Sequence, residues 1–88
     1  MKIYVGNLSA QTMEDDLRQT FEVFGDVSGV NITTEVFSGQ CKRFGYVEMP
    51  SKFHASAAIS ELNGLELNGR RLSVFRAYPQ PEYQPSYS

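Results

Sequence analysis

The 88 residues, 41% of them hydrophobic and 20% charged, suit one globular domain with a buried core and argue against a disordered or fibrous chain. The single cysteine, Cys41, excludes an internal disulfide and a cysteine-based zinc site, and no stretch approaches the roughly 20 apolar residues that span a membrane. The formal charge of −2 argues against a protein that binds a polyanion by phosphate neutralisation alone.

The chain begins with a predicted strand and a predicted helix. Residues 2–8 are largely apolar and end at a Gly-Asn pair, which is typical of a strand followed by a turn. Thr12 is the expected N-cap of the first helix, and Gly25 is expected to end it. Four apolar residues recur between them at helical spacing: Met13, Leu17, Phe21 and Phe24.

The middle of the chain predicts two strands joined by a long hairpin loop. Residues 27–33 alternate between apolar and polar side chains, as expected for a strand. Residues 34–41 contain Ser-Gly and are predicted to form the loop. Residues 42–49 predict the third strand, which Pro50 closes because proline has no N–H for a ladder.

A second helix and a fourth strand complete the predicted fold. Ser51 is the expected N-cap, and the apolar face of the helix consists of Ala55, Ala58, Ile59 and Leu62. An Asn-Gly turn at residues 68–69 precedes the fourth strand, residues 71–77. The order βαββαβ predicts an α+β ferredoxin-like sandwich, a four-stranded antiparallel sheet with two helices on one face. We expect a domain over residues 1–78 and a flexible Pro/Tyr-rich tail over residues 79–88.

Alternation along the strands predicts which side chains the helices cover. Ile3 and Val5 share one face of the first strand, and Val47 and Met49 share one face of the third. The helices must cover these aliphatic positions, which leaves three rings on the open face: Tyr4, Phe44 and Tyr46. Phe75 joins them as a fourth ring if the alternation holds in the last strand. The alternative, in which the alternation is misassigned and the rings pack in a core, stays open on the sequence alone.

Two short motifs lie on the predicted first and third strands, the hexamer IYVGNL at residues 3–8 and the octamer KRFGYVEM at residues 42–49. They resemble the two sequence motifs of RNA recognition motif domains, and the similarity spans nearly the whole domain. The octamer departs from the family pattern at Arg43, where the family has glycine, and at Met49, where it has an aromatic residue. The layout is closest to the small single-domain bacterial members, because the chain starts at its own methionine and ends soon after the fold.

The resemblance implies binding of single-stranded RNA by base stacking on the open sheet face. Charge is segregated, since four of the ten acids fall in the first predicted helix and six bases fall within or beside strands, so one face can still be positive. The expected RNA-binding residues are Tyr4, Phe44, Tyr46, Lys2, Lys42, Arg43, Phe75, Asn31 and Arg76. For Asn31, a role as an ordinary solvated strand residue is as good an interpretation.

Other functions are weighed against this one. The alternative is a protein–protein interaction module that uses the helical face or the tail and would have a protein partner. An enzyme is not expected, because the sequence has no Gly-rich phosphate loop and no His/Ser or His/Cys pairing. We therefore expect no cofactor and no metal. We expect a cytoplasmic monomer that makes no membrane contact and that also binds single-stranded DNA in vitro.

Overall fold

The computed structural model describes residues 1–77, apart from the side chain of Phe37. The helices are α1 (Glu14–Glu22) and α2 (Lys52–Leu62). The strands are β1 (Lys2–Gly6), β2 (Gly29–Phe37), β3 (Gln40–Glu48), β4 (Glu66–Leu67), β5 (Arg70–Arg71) and β6 (Ser73–Ala77). The predicted tail and the predicted domain boundary at residue 78 lie outside the described residues.

The main sheet has the strand order β2-β3-β1-β6, and its described pairings are all antiparallel. The motif-bearing strands β1 and β3 are therefore neighbours at its centre. Strands β4 and β5 form a separate two-stranded hairpin between α2 and β6. The predicted ferredoxin-like sandwich is confirmed, with the fourth predicted strand divided into β5 and β6. Within residues 1–77, neither helix is long and apolar enough to cross a membrane.

One hydrophobic core lies between the sheet and the helices. The sheet contributes the fully buried side chains of Ile3, Val5 and Val47, and Met49, directly after β3, is fully buried with them. The helices contribute Leu17, Phe21, Ala55, Ala58 and Leu62 to the same cluster. Burial of an aliphatic or aromatic side chain of this size contributes about 1.5–3 kcal/mol. The core therefore fixes which face of the sheet the helices cover, as the alternation predicts.

The β2–β3 hairpin is longer than the sequence predicted. Residues 34–41 are not a long loop, because β2 continues to Phe37, β3 begins at Gln40, and only Ser38 and Gly39 connect them. Both connecting residues have positive φ, 53° and 80°, which is the conformation of the tight turns that match strand twist. The hairpin extends beyond β1, whose strand pairing with β3 begins at Gly45.

The start of α1 also differs from the prediction. Thr12 is not the N-cap but is fully buried, and its hydroxyl accepts a hydrogen bond of 2.9 Å from the amide of Asn68. Met13 takes the cap position and donates its backbone N–H to the Asp16 carboxylate at 2.8 Å. Met13 is 62% exposed, so it does not belong to the apolar face of the helix. The predicted cap of α2 is confirmed, since the Ser51 hydroxyl accepts from the backbone N–H of His54 at 3.3 Å.

Candidate nucleic-acid interface

The register of the sheet places the aromatic side chains together on the face opposite the helices. Tyr4 lies directly opposite Tyr46 on β3 and directly opposite Phe75 on β6. Directly opposed residues of antiparallel strands point to the same face, and Phe44 shares that face because it is two positions from Tyr46. We call these four residues, Tyr4, Phe44, Tyr46 and Phe75, the aromatic face.

Tyr4 is at the centre of the aromatic face. Its ring centroid lies 6.0 Å from that of Phe44, with the planes inclined by 28°, and 6.3 Å from that of Phe75, with the planes inclined by 22°. Tyr46 meets Tyr4 edge-on at 5.8 Å and Phe44 edge-on at 6.4 Å. These separations are those of favourable aromatic pairs, so the rings support one another as a continuous surface.

The aromatic face is partly open to water. Phe75 is 54% exposed, and the other three rings are half-buried by their neighbours. None of the four is in the buried core cluster between the sheet and the helices. The alternative interpretation, in which the rings pack in the core, is therefore wrong. A surface-exposed aromatic cluster of this kind marks an interaction site.

Gly6 makes room for the ring of Tyr4. A Cβ atom at position 6 would lie 2.7 Å from the Tyr4 hydroxyl oxygen and 2.8 Å from its Cε2 atom. Real Cβ atoms do not approach other atoms so closely, so the Tyr4 ring lies over Gly6 only because position 6 has no side chain. This glycine sets the orientation of the central ring.

Polar side chains flank the aromatic face. The Lys2 ammonium lies 4.5 Å from the centroid of the Tyr46 ring, within the range of a cation–π contact. Asn31 lies opposite Tyr46 on β2 and is exposed at the end of the same row. Lys42 shares the parity of Phe44 on β3 and is exposed. The sequence placed these three residues beside the rings, and the structure brings them there.

Two predicted site residues lie on the other side of the sheet. The Arg43 guanidinium donates to the backbone carbonyls of Ser9 and Thr12, the latter at 2.8 Å, and to the Thr34 hydroxyl at 3.1 Å. Arg76 lies opposite Ile3 in the register, so its side chain leaves the sheet on the side of the helices. The structure therefore does not bring Arg43 and Arg76 onto the aromatic face with the other seven.

The sequence interpretation missed a groove of about 510 Å³ beside the aromatic face. Its lining includes Asn7, directly after β1, and Arg70, in the β4–β5 hairpin. The Arg70 guanidinium donates to the Asn7 side-chain oxygen at 2.7 Å, and the Asn7 amide donates to the Arg71 carbonyl at 2.7 Å. These partners are more than 60 positions apart, so no local pattern could have paired them.

Throughout the described part of the chain, His, Cys, Asp and Glu side chains form no group of three or more that could hold a metal ion. What the arrangement offers is a contiguous surface of four aromatic rings flanked by cations and amide groups. Such a surface stacks planar rings and attracts anions, and a nucleotide carries both, as its base and its phosphate.

Comparisons with known proteins agree with this site. The RNA recognition motif family matches residues 3–73. RbpE of Nostoc sp. strain PCC 7120 is 44% identical over 82 residues, which cover 93% of this chain and 83% of RbpE. The mitochondrial glycine-rich RNA-binding protein 2 of Arabidopsis thaliana is 37% identical over 86 residues, 98% of this chain and 54% of that protein. The crystal structure of RNA binding protein PG1 superposes with a TM-score of 0.80 at 39% identity, covering 93% of this chain and 99% of that one.

The fold and the ring-bearing central strands define an RNA recognition motif domain. The chain belongs to the RNA recognition motif family, and it is an RNA-binding protein. The expected similarity to bacterial members of the family is confirmed by RbpE, which this chain matches over most of its length.

Proposed function

We propose that the protein binds single-stranded RNA by stacking bases on the aromatic face, over roughly two to four nucleotides. The observation that carries this proposal is the contiguous arrangement of Tyr4, Phe44, Tyr46 and Phe75 opposite the helices. The bases of a duplex are stacked on one another and cannot lie flat on a protein surface. The aromatic face is therefore suited to unpaired bases, including those of single-stranded DNA in vitro.

Charge plays the smaller part in this proposal. Lys2 and Lys42 flank the rings, and the proposal gives Asn31, which is exposed opposite Tyr46, a contact to a base edge. Because the net charge of the chain is −2, we expect few phosphate contacts. With about two phosphates neutralised, the slope of log K against log salt concentration is about −1.4. Arg43 and Arg76 are left out of the proposed contacts, because their side chains lie on the helix side of the sheet.

A double substitution tests the stacking mechanism. Phe44→Ala/Tyr46→Ala removes two rings, and each stacked base contributes about 1–3 kcal/mol by alanine substitution. Titration of a short unpaired RNA should show that affinity falls by at least tenfold. Phe53→Ala is the matched control, because Phe53 is 87% exposed on α2, away from the rings. Equal affinities for the double variant and the Phe53 variant would refute stacking on the aromatic face.

The preference for single-stranded over double-stranded RNA is measured in the same assay. We expect the unpaired RNA to bind more tightly than the same sequence in a duplex, because duplex bases are not available for stacking. Nothing in the family match or the relatives favours the protein-interaction alternative. A pull-down that survives both nuclease and the double substitution would support that alternative instead.

We further propose that the protein acts as a cytoplasmic monomer and has no catalytic activity. The support is its membership in a family of RNA-binding domains. Light scattering tests the monomeric state, and cell fractionation tests the location.

A further inference from the structure

The groove beside the aromatic face lies where β1 ends and β3 begins. Tyr4 and Phe44 contribute to its lining, so the groove is continuous with the stacked pair of rings. Its volume of about 510 Å³ is that of a site for one small ligand, since ligand pockets span roughly 300–1,000 Å³. An RNA strand that stacks on Tyr4 and Phe44 therefore has a cavity next to it at this end of the sheet.

The groove is lined by cations in an acidic protein. Lys42 and Arg70 supply its positive charge, and none of its described lining residues is Asp or Glu. Arg43 also borders the groove, but its guanidinium is held on the other side of the sheet. The chain as a whole carries a net charge of −2, so this concentration of basic groups is opposite in sign to the protein around it. A concave surface with one sign of charge focuses the field and attracts a ligand of the other sign. The ligand that fits is an anion.

Arg70 is held in position at the groove. Its guanidinium donates to the Asn7 side-chain oxygen at 2.7 Å, and Asn7 is in turn fixed to the Arg71 carbonyl at 2.7 Å. Asn7 has a φ of 61°, a left-handed conformation that few residues other than glycine and asparagine adopt readily. A guanidinium has five N–H donors in a planar fork, so one bond to Asn7 leaves others for a phosphate.

We infer that this groove binds one further nucleotide of the RNA, with its phosphate on Arg70 and Lys42, and that Asn7 is the positioning residue for Arg70. The inference rests on the proposed function, because the strand reaches the groove from the Tyr4 and Phe44 stack. It extends the interface from the sheet surface to the β4–β5 hairpin. Arg43 lines the groove but is held by Ser9, Thr12 and Thr34, so its part is structural.

The test compares two neighbouring arginines. Arg70→Gln removes the proposed phosphate contact, and Arg71→Gln removes the same charge from an exposed side chain that does not line the groove. Affinity for a short unpaired RNA is measured over a range of salt concentrations. We expect R70Q to weaken binding at low salt about tenfold and to reduce the steepness of the log–log slope by about 0.7, the value for one phosphate on a single strand. R71Q should keep the wild-type slope.

A length series shows whether the contact is to RNA. Oligonucleotides are lengthened one residue at a time, and the wild-type protein should gain affinity at the length that reaches the groove. R70Q should lose that gain and bind the shorter RNA as the wild type does. Inorganic phosphate at millimolar concentration should compete weakly at most, because the stacked bases hold the strand in place. Complete competition by phosphate alone would overturn the assignment to an RNA nucleotide.

The outcomes separate this inference from the proposed function. Equal slopes for R70Q and R71Q would overturn the inference, while loss of binding in Phe44→Ala/Tyr46→Ala would still support stacking. If that double variant binds normally, the stacking mechanism fails, and the inference fails with it. Arg70→Lys keeps the charge and should restore most of the slope, which shows that the effect of R70Q is not a folding defect.

The positioning role of Asn7 is tested separately, by the salt dependence of RNA binding in Asn7→Gly. Asn7→Gly accepts the same positive φ and removes both side-chain hydrogen bonds. We expect N7G to reduce the slope as R70Q does, and the double variant N7G/R70Q to show no further reduction. Thermal melting of each variant shows that the comparison is made on folded protein. Additive effects of the two substitutions would overturn the positioning role.

Discussion

Tyr4 and Phe75 lie directly opposite each other on β1 and β6, with ring centroids 6.3 Å apart and ring planes inclined by 22°. Phe75 extends the aromatic face to the edge strand of the sheet, and it is 54% exposed. A large apolar ring with half its surface in water is not there to stabilise the core. In the proposed stacking mechanism, its position beside the central ring makes it a further surface for a base.

Replacement of Phe75 should therefore affect binding more than stability. Phe75→Ala should weaken RNA binding by about 1–3 kcal/mol, the contribution of one stacked base. The free energy of unfolding should change little, because the side chain is mostly exposed. Titration and urea denaturation of the same sample measure both quantities. Phe75→Tyr keeps the ring and should bind as the wild type does; a stability loss as large as the binding loss would contradict the prediction.

Gly6→Ala should move the Tyr4 ring. The added Cβ would lie 2.7 Å from the Tyr4 hydroxyl oxygen, at the free end of a side chain that can rotate away. We expect a folded protein with weaker RNA binding, because the central ring no longer lies flat on the sheet. NMR shifts of the Tyr4 ring and an RNA titration check this. Unchanged binding in the presence of a displaced ring would show that Tyr4 is not used for stacking.

Gly45→Ala, in contrast to Gly6→Ala, should lower the stability of the fold. A Cβ at position 45 would lie 2.2 Å from the backbone oxygen of Asn31, and backbone cannot rotate away as a side chain can. Overpacking of this kind costs about 1–3 kcal/mol, so the free energy of unfolding should fall by at least about 1 kcal/mol. Urea denaturation measures the loss. A variant with wild-type stability would mean that β2 shifts to accommodate the methyl group.

Arg43→Gln should lower stability and leave the binding of folded protein nearly unchanged. The guanidinium holds the β1–α1 connection to β2 through the Ser9 and Thr12 carbonyls and the Thr34 hydroxyl. Hydrogen bonds to a charged group contribute about 1.5–3 kcal/mol. Lys42→Gln is the matched control on the next residue of β3, where we expect weaker binding and unchanged stability. If Arg43→Gln weakened binding at unchanged stability and Lys42→Gln did not, the phosphate contact would belong to Arg43.

The faces of the central strands could be predicted because alternation is a local property. Ile3 and Val5 are aliphatic and Tyr4 between them is aromatic, so the covered face is readable once two helices are recognised. The same rule placed Phe75 correctly with respect to Val74. Alternation does not require knowledge of which strands pair.

Features that depend on pairing or on distant contacts could not be predicted. The outer parts of β2 and β3 are exposed on both faces, so no burial pattern distinguished them from a loop. Thr12 has the composition of a cap, but its hydroxyl is engaged by Asn68, which only the fold brings near. The Asn7–Arg70 contact likewise joins residues that only the fold brings near. The sequence near them shows only the Gly-Asn and Asn-Gly pairs, which favour positive φ.

The β2–β3 hairpin extends past the end of β1, so its outer residues have a strand neighbour on one side only. An isolated two-stranded ribbon is marginally stable in water. Amide protons near the Ser38–Gly39 turn should therefore exchange with solvent before those of β1 in hydrogen–deuterium exchange. Gln40, Cys41 and Lys42 lie in this ribbon and line the groove, so RNA bound there should slow exchange at the ribbon more than elsewhere in the sheet.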